Sequence, residues 1–187
     1  MPVLTSSDSR GERIAERLAP YLTCTLPEGE ARDAFFMDAA LTLARFAAAE
    51  GEVPVGCVIA RGGTLLAGEC NARERMKNPL WHAEAAAIER ASGELGGWRL
   101  AGCTLYVTLE PCPMCAGAIW NARVPRVVIG AKDPRAGALG SLLNLNGYPL
   151  NFRPAVTFGV RERECADLLR RFFAERRGRE PEGGSRR

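Results

Sequence analysis

The spacing of apolar residues changes period several times along the chain, and each change marks an element. Residues 31–49, "ARDAFFMDAALTLARFAAA", place Phe36, Ala40, Leu43 and Ala47 on one helical face. The runs "VPVGCVIA" (53–60) and "TLLAGECN" (64–71) follow, split by Arg61-Gly62-Gly63, and predict a β-hairpin. After Pro79 an alanine-rich stretch, about 81–92, returns to helical spacing. "CTLYVTL" (103–109) has the β-branched and aromatic content of a buried strand. "MCAGAIWNAR" (114–123) reads as a helix and "RVVIGA" (126–131) as a strand. A glycine-rich loop leads to the strand "AVTFGV" (155–160). The closing helix carries Cys165, Leu168, Leu169 and Phe172 at i, i+3, i+4 and i+7. An opening hairpin followed by alternating strands and helices predicts a three-layer α/β/α domain around a mixed sheet of about five strands.

The two ends stand apart from this pattern. Residues 1–29 read as an N-terminal extension of unassigned role. A short helix over 10–22 fits, but Pro20 and "LPEGE" interrupt anything longer. The domain is expected over 30–177, and "GREPEGGSRR" (178–187) has the composition of a disordered tail.

Composition narrows the class. A chain of 187 residues with 47% hydrophobic and 25% charged residues is ordinary for one globular domain. No run approaches eighteen consecutive apolar residues, so no membrane span is expected. The start lacks a basic segment leading into an apolar one, which argues against a secretory signal. Seven cysteines form no small disulfide framework, and reduced thiols in a cytoplasm are the expectation. Residues 161–187 hold nine Arg and six acidic residues, so the whole net charge of +3 sits there. The bland account is a solvated helix face; the sharper one is a phosphate-binding patch.

The chemistry gathers in two short stretches. Cys112 and Cys115 have the C-x-x-C spacing at which both sulfurs reach one metal, with Pro111 and Pro113 flanking the first. Proline is tolerated in a first helical turn, so the pair is expected to open a helix, whose N-terminus favours thiolate. By itself C-x-x-C leaves a redox pair and a metal site open. His82 is the only histidine in the chain, and it begins a predicted helix two residues before Glu84. One His and two Cys make three ligands. Structural zinc sites close with four, whereas catalytic ones keep a position for water. Of the other cysteines, Cys57, Cys70 and Cys103 fall in apolar strands, and none of the five, Cys24 and Cys165 included, stands at ligand spacing. An open site is therefore expected. Zinc there would make water nucleophilic near neutral pH, and Glu84 would carry its protons. Residues two apart on a helix point apart, so Glu84 is not expected as a fourth ligand. H-x-E followed by P-C-x-x-C is the signature of zinc nucleobase deaminases.

Over about residues 32–177 the chain resembles the bacterial tRNA-specific adenosine deaminases. The likeness runs through "EVPVGCVI", "HAE", "TLYVTLEPCPMCAGAI", "RVVIGAKDPRAGALGSL", "PLNFR" and "LLRRFFAERR". It implies a cytidine-deaminase-like fold, one zinc per chain, a homodimer, and conversion of the wobble adenosine in a tRNA anticodon stem-loop to inosine. By position it implies His82, Cys112 and Cys115 as zinc ligands and Glu84 as the catalytic proton carrier. Asn71 and the backbone N–H of Ala83 would meet the base. Lys132, Asp133 and Asn151 match loops that contact RNA, and Phe172, Phe173 and Arg176 match an RNA-contacting helix; a helical apolar stripe more often packs inward. The chain departs from the family at Asn78-Pro79-Leu80-Trp81, where Asp-Pro-Thr-Ala is usual, and at Phe152, where His is frequent. Two rivals remain at this stage: a deaminase of the same superfamily acting on a free base or nucleotide, guanine or a cytosine compound, and a non-catalytic zinc protein.

Overall fold

A computed structural model describes residues 9–22 and 29–179. Helix α1 spans Ser9–Leu18 and runs into a 3₁₀ turn at Ala19–Tyr21. Helix α2 (Gly29–Ala49) is followed by the hairpin β1 (Gly56–Arg61) and β2 (Thr64–Cys70). A single turn, α3 (Arg73–Met76), precedes α4 (Ala83–Leu95), β3 (Cys103–Leu109) and α5 (Pro113–Asn121). The described residues close with β4 (Arg126–Ala131), β5 (Ala155–Phe158) and α6 (Glu162–Arg179).

The five strands form one mixed sheet in the order β2-β1-β3-β4-β5. The pairings β2–β1 and β1–β3 are antiparallel, and β3–β4 and β4–β5 are parallel. Alternation along the strands feeds two cores. Val58, Tyr106 and Val128 face α1, α2 and α6, while Ile59, Leu105, Val107, Val127 and Ile129 face α4 and α5. This is the expected three-layer α/β/α arrangement. The stripe Phe36, Ala40, Leu43 and Ala47 is buried, as its spacing required. Close packing of α2 on β1 depends on Gly56: a Cβ there would lie 2.0 Å from the Ala40 carbonyl oxygen.

Two expectations change. Part of what reads as an extension before residue 30, helix α1, packs onto the domain: its Ile14 and Leu18 are fully buried in the core under α2. Its apolar residues are too few to reveal the burial by periodicity, and the partners lie in β2 and α2. At the other end the closing helix continues through Gly178 to Arg179, while residues 180–187, like Cys24, lie outside the described residues.

Candidate active site

Two helix N-termini meet at the mouth of the sheet's α4/α5 side. His82 is the N-cap of α4 and Cys112 the N-cap of α5, both in extended backbone, with Pro113 setting the first turn of α5. Cys115 is the third residue of α5, in its first turn, and is buried. The caps turn the ligand side chains toward each other. His82 Nδ1 lies 3.7 Å from Cys112 Sγ and 3.6 Å from Cys115 Sγ. All three ligand atoms lie within 4.8 Å of one another. A tetrahedral zinc with ordinary Zn–N and Zn–S bonds would space such N and S atoms by about 3.6 Å. The donor set therefore fits zinc as it stands. Its protonation points the same way. The Cys112 thiol is pulled down to about 4 by hydrogen bonds from Cys115 and His82, while Cys115 is held protonated by that thiolate neighbour and by burial. His82 is raised by its bond to Cys112. A cation would replace the protons that now stabilise one thiolate.

Glu84 occupies the first turn of α4 and is 4% exposed. Burial pushes its carboxyl up to about 7, against the pull of the nearby imidazole. No arginine or lysine is bonded to it among the described residues; its side-chain hydrogen-bond neighbour is the Cys115 thiol. A carboxyl group that gains and loses its proton near neutrality, beside an open metal site, is suited to carrying protons.

Asn71 is buried at the end of β2, and its Oδ1 accepts the Ala83 N–H at 3.0 Å. The two base-contact candidates are thus bonded to one another, and among the described residues no further bond engages the Asn71 amide, which leaves its NH₂ donors for a ligand. Cys57, Cys70, Cys103 and Cys165 are buried away from the metal-ligand set, as their apolar settings implied.

The RNA candidates separate. Lys132 and Asp133, in the loop after β4, line a groove of about 740 Å³ with Arg170, Phe173 and Arg177 of α6. Phe173 is exposed there, but Phe172 is buried and packs edge-on against it, so only one of the pair faces the groove. Arg176 lies over the Phe172 ring. Asn151 stands elsewhere, its Oδ1 accepting a 2.7 Å bond from Arg123. The Asp133 carboxylate accepts the N–H groups of Arg135 and Ala136 and so stabilises its own turn.

Sequence reasoning missed Glu110. It is buried directly before the P-C-P-M-C stretch and accepts the N–H groups of Asp133, Leu139 and Ser141 as well as the Ser141 hydroxyl. It therefore holds the loop that carries Lys132 and Asp133. Gly137 is the matching signal: a Cβ there would lie 2.4 Å from the Glu110 carboxyl carbon.

A mixed sheet with three convergent ligands and a buried carboxyl at two helix N-termini defines a metal-dependent hydrolase centre. The family of the cytidine and deoxycytidylate deaminase zinc-binding region matches residues 30–131, and the chain belongs to it. A tRNA-specific adenosine deaminase of Bacillus subtilis (strain 168) is 46% identical over 147 residues, 78% of this chain and 91% of that protein. A solved structure from work on A-to-I editing by tRNA:A34 deaminases at the wobble position superposes with a TM-score of 0.70 at 42% identity, covering 72% of this chain and 98% of the other. A guanine deaminase from Nitrosomonas europaea gives 0.65 at 27% identity, covering 84% and 92%.

Proposed function

We infer that this protein is a zinc-dependent hydrolase that converts adenosine to inosine at the wobble position of a tRNA anticodon. The observation that carries the reading is a complete His82, Cys112, Cys115 and Glu84 centre within a chain 46% identical to a tRNA-specific adenosine deaminase over nearly all of that relative. His82, Cys112 and Cys115 hold the zinc, which when bound supplies a Lewis acid that makes water nucleophilic at neutral pH. Glu84 takes the proton from the attacking water and delivers it to the ring nitrogen beside the attacked carbon. It then passes a proton to the exocyclic amine, so that water and adenosine become ammonia and inosine. The Asn71 amide donors hold the base. The adenosine must leave its stack to enter, which suits the splayed bases of an anticodon loop.

The groove between the 132–135 loop and α6 is assigned to the RNA backbone in this reading, supported by its lining. Lys132, Arg170 and Arg177 supply cations and Phe173 a stacking face. We extend the reading to a homodimer acting in the cytoplasm. No helix of the described residues is long and apolar enough to cross a membrane. The guanine deaminase likeness keeps a second substrate in play, and one experiment separates them. Purified protein is incubated side by side with guanine and with an anticodon stem-loop carrying adenosine at the wobble position. Inosine in the stem-loop supports the reading, and xanthine formation with unchanged RNA overturns it. Stem-loop binding should weaken with salt at a log–log slope of about −0.7 per phosphate contact, and Arg177→Ala should flatten it by about one contact. Light scattering in solution tests the dimer.

A further inference from the structure

Asn71 and His82 are joined by an excursion of the chain. Residues 72–81 leave the sheet, make the single turn α3, and return, the stems closed by a bond from Ala72 N–H to the Trp81 carbonyl at 3.2 Å. One stem carries the base-contact candidate and the other the metal ligand. Both stems meet one side chain from a distant helix. Arg10 of α1 donates from Nη2 to the Cys70 carbonyl at 2.9 Å and from Nη1 to Glu69 at 2.6 Å. Its guanidinium also lies 5.7 Å from the Trp81 ring centroid. Arg10 is only 5% exposed. The other Glu69 oxygen is held by Arg90 of α4. A second thread runs parallel at the surface: Arg13 of α1 pairs with Glu50, which also pairs with Arg75 of α3. The helix that supplies Arg10 precedes the region matched by the family, which begins at residue 30.

We propose that Arg10 is a positioning residue for the deamination: through it α1 fixes the two chain stems that present Asn71 and His82. The inference rests on the reading of the site as a deaminase. The path is short. Arg10 holds the Cys70 carbonyl, the next residue is Asn71, and the Asn71 Oδ1 holds the Ala83 N–H, which lies between His82 and Glu84. A shift of the Cys70 backbone is therefore passed to both the base-holding amide and the start of α4. Displacements of about 1 Å at such groups cost rate on the order of 10²-fold. A planar guanidinium is suited to the task because it engages a carboxylate, a carbonyl and an indole face from one rigid plane.

The test compares Arg10→Ala and Arg10→Lys with Ile14→Ala, a core substitution in the same helix. Glu69 keeps Arg90 in the Arg10 variants, so its charge is not left unpaired. Two readouts are taken well below the melting temperatures: kcat and KM on the wobble-adenosine stem-loop per zinc-loaded chain, and the visible absorption bands of the cobalt-substituted proteins. Arg10→Ala should lower kcat by about tenfold or more, with KM within about twofold, because a positioning loss acts on the reaction and not on phosphate contacts. Its cobalt bands should move. Arg10→Lys should fall between it and the wild type. Ile14→Ala should lower the melting temperature and keep wild-type kcat and bands. Wild-type kcat and bands in Arg10→Ala, or an Ile14→Ala protein with the same loss, would overturn the proposal. If Arg10→Ala does not fold, Arg10→Lys is read against the same two criteria. A wild-type protein inactive on the stem-loop sinks the substrate reading alone, since the cobalt bands still report whether Arg10 sets the site.

Discussion

Glu69 and Glu84 are both buried, lie fifteen residues apart, and stand on either side of the loop that joins Asn71 to His82. Glu69 sits between two guanidinium groups, Arg10 and Arg90, and is an ion-paired structural charge. Glu84 has an imidazole and a thiol for neighbours, and burial lifts its carboxyl to about 7. Both side chains are withdrawn from water, and burial disfavours a bare charge. What separates them is whether a permanent cation compensates for it. Arginine keeps its charge at any working pH and ion-pairs with Glu69, whereas the groups facing Glu84 are themselves titratable. The same amino acid in the same burial class is thus made structural in one place and reactive in the other by its partners.

The comparison breaks most sharply at Glu84. Glu84→Gln should keep one zinc per chain and at least wild-type thermal stability, because a neutral amide is easier to bury than a carboxylate. Turnover with saturating substrate should fall by about 10²–10⁴-fold, the usual worth of general acid–base catalysis. Elemental analysis and single-turnover inosine assays check the two halves. A variant turning over at near wild-type rate removes Glu84 from the mechanism.

Glu69→Gln should act first on stability, with the zinc ligands kept. Removing one partner of a buried pair costs about 3–5 kcal/mol, and the lower end applies here because Arg90 is partly exposed. For a chain of this size about 3 kcal/mol corresponds to a drop in Tm of about 6–12 °C. Calorimetry decides it: an unchanged Tm would mean that the two arginines are held equally well without the charge.

How much of this was legible in the sequence follows from distance along the chain. The metal site was readable because its members lie in two short stretches whose spacing is itself the signal. His82 and Glu84 share one helix start, and Cys112 and Cys115 share another. The hairpin, the strands 103–109 and 126–131, and the buried stripe of α2 were readable because period and burial coincide there. The ion pair of Arg10 with Glu69 was not readable. It joins residues 59 positions apart, and an arginine in a polar N-terminal stretch carries no mark of burial. Glu110 was hidden for a different reason: its partners are backbone N–H groups of a loop, and any sequence supplies those. Phe172 and Phe173 are adjacent and chemically identical, so only the helix phase decides which one is buried.

Glu110 offers an intermediate case, since backbone amides and a hydroxyl hold it without any cation. Glu110→Gln replaces one acceptor oxygen by a donor that faces N–H groups. The expected cost is about 1–3 kcal/mol, that of leaving buried donors unsatisfied. The loss should be concentrated in the 133–141 loop. Hydrogen exchange should therefore rise at Leu139 and Ser141 while the sheet stays protected. Uniform loss of protection would show that Glu110 supports the whole fold and not this loop.

The smallest effect is expected where an acid and its cation are only partly withdrawn from water. Asp33 of α2 receives a bidentate bond from Arg126 at 2.7 and 2.6 Å and a further bond from the Tyr106 hydroxyl. The hydrogen bonds from Arg126 hold its carboxyl below the ordinary aspartate value, against the opposing effect of burial. A carboxyl depressed in the folded state contributes stability above its unfolded pKa, about 3.9, and loses it as pH falls through the lower folded value. Asp33→Asn should therefore make stability less steep on the acid side of about pH 4 and remove a small constant contribution at neutral pH. Arg126 is about one-third exposed, so solvent screens the pair, and the neutral-pH cost should stay under about 1 kcal/mol. Urea melts of the two proteins at pH 7 and at a series of points below pH 4 measure both quantities. The difference between them should shrink toward zero as the wild-type carboxyl takes up its proton. A difference that stays constant into acid would mean that Asp33 acts through the Tyr106 hydrogen bond and packing alone. In that case Arg126 would stand with the exposed ion pairs, and the contrast between an arginine-paired acid and one without a cation would be confined to Glu69 and Glu84.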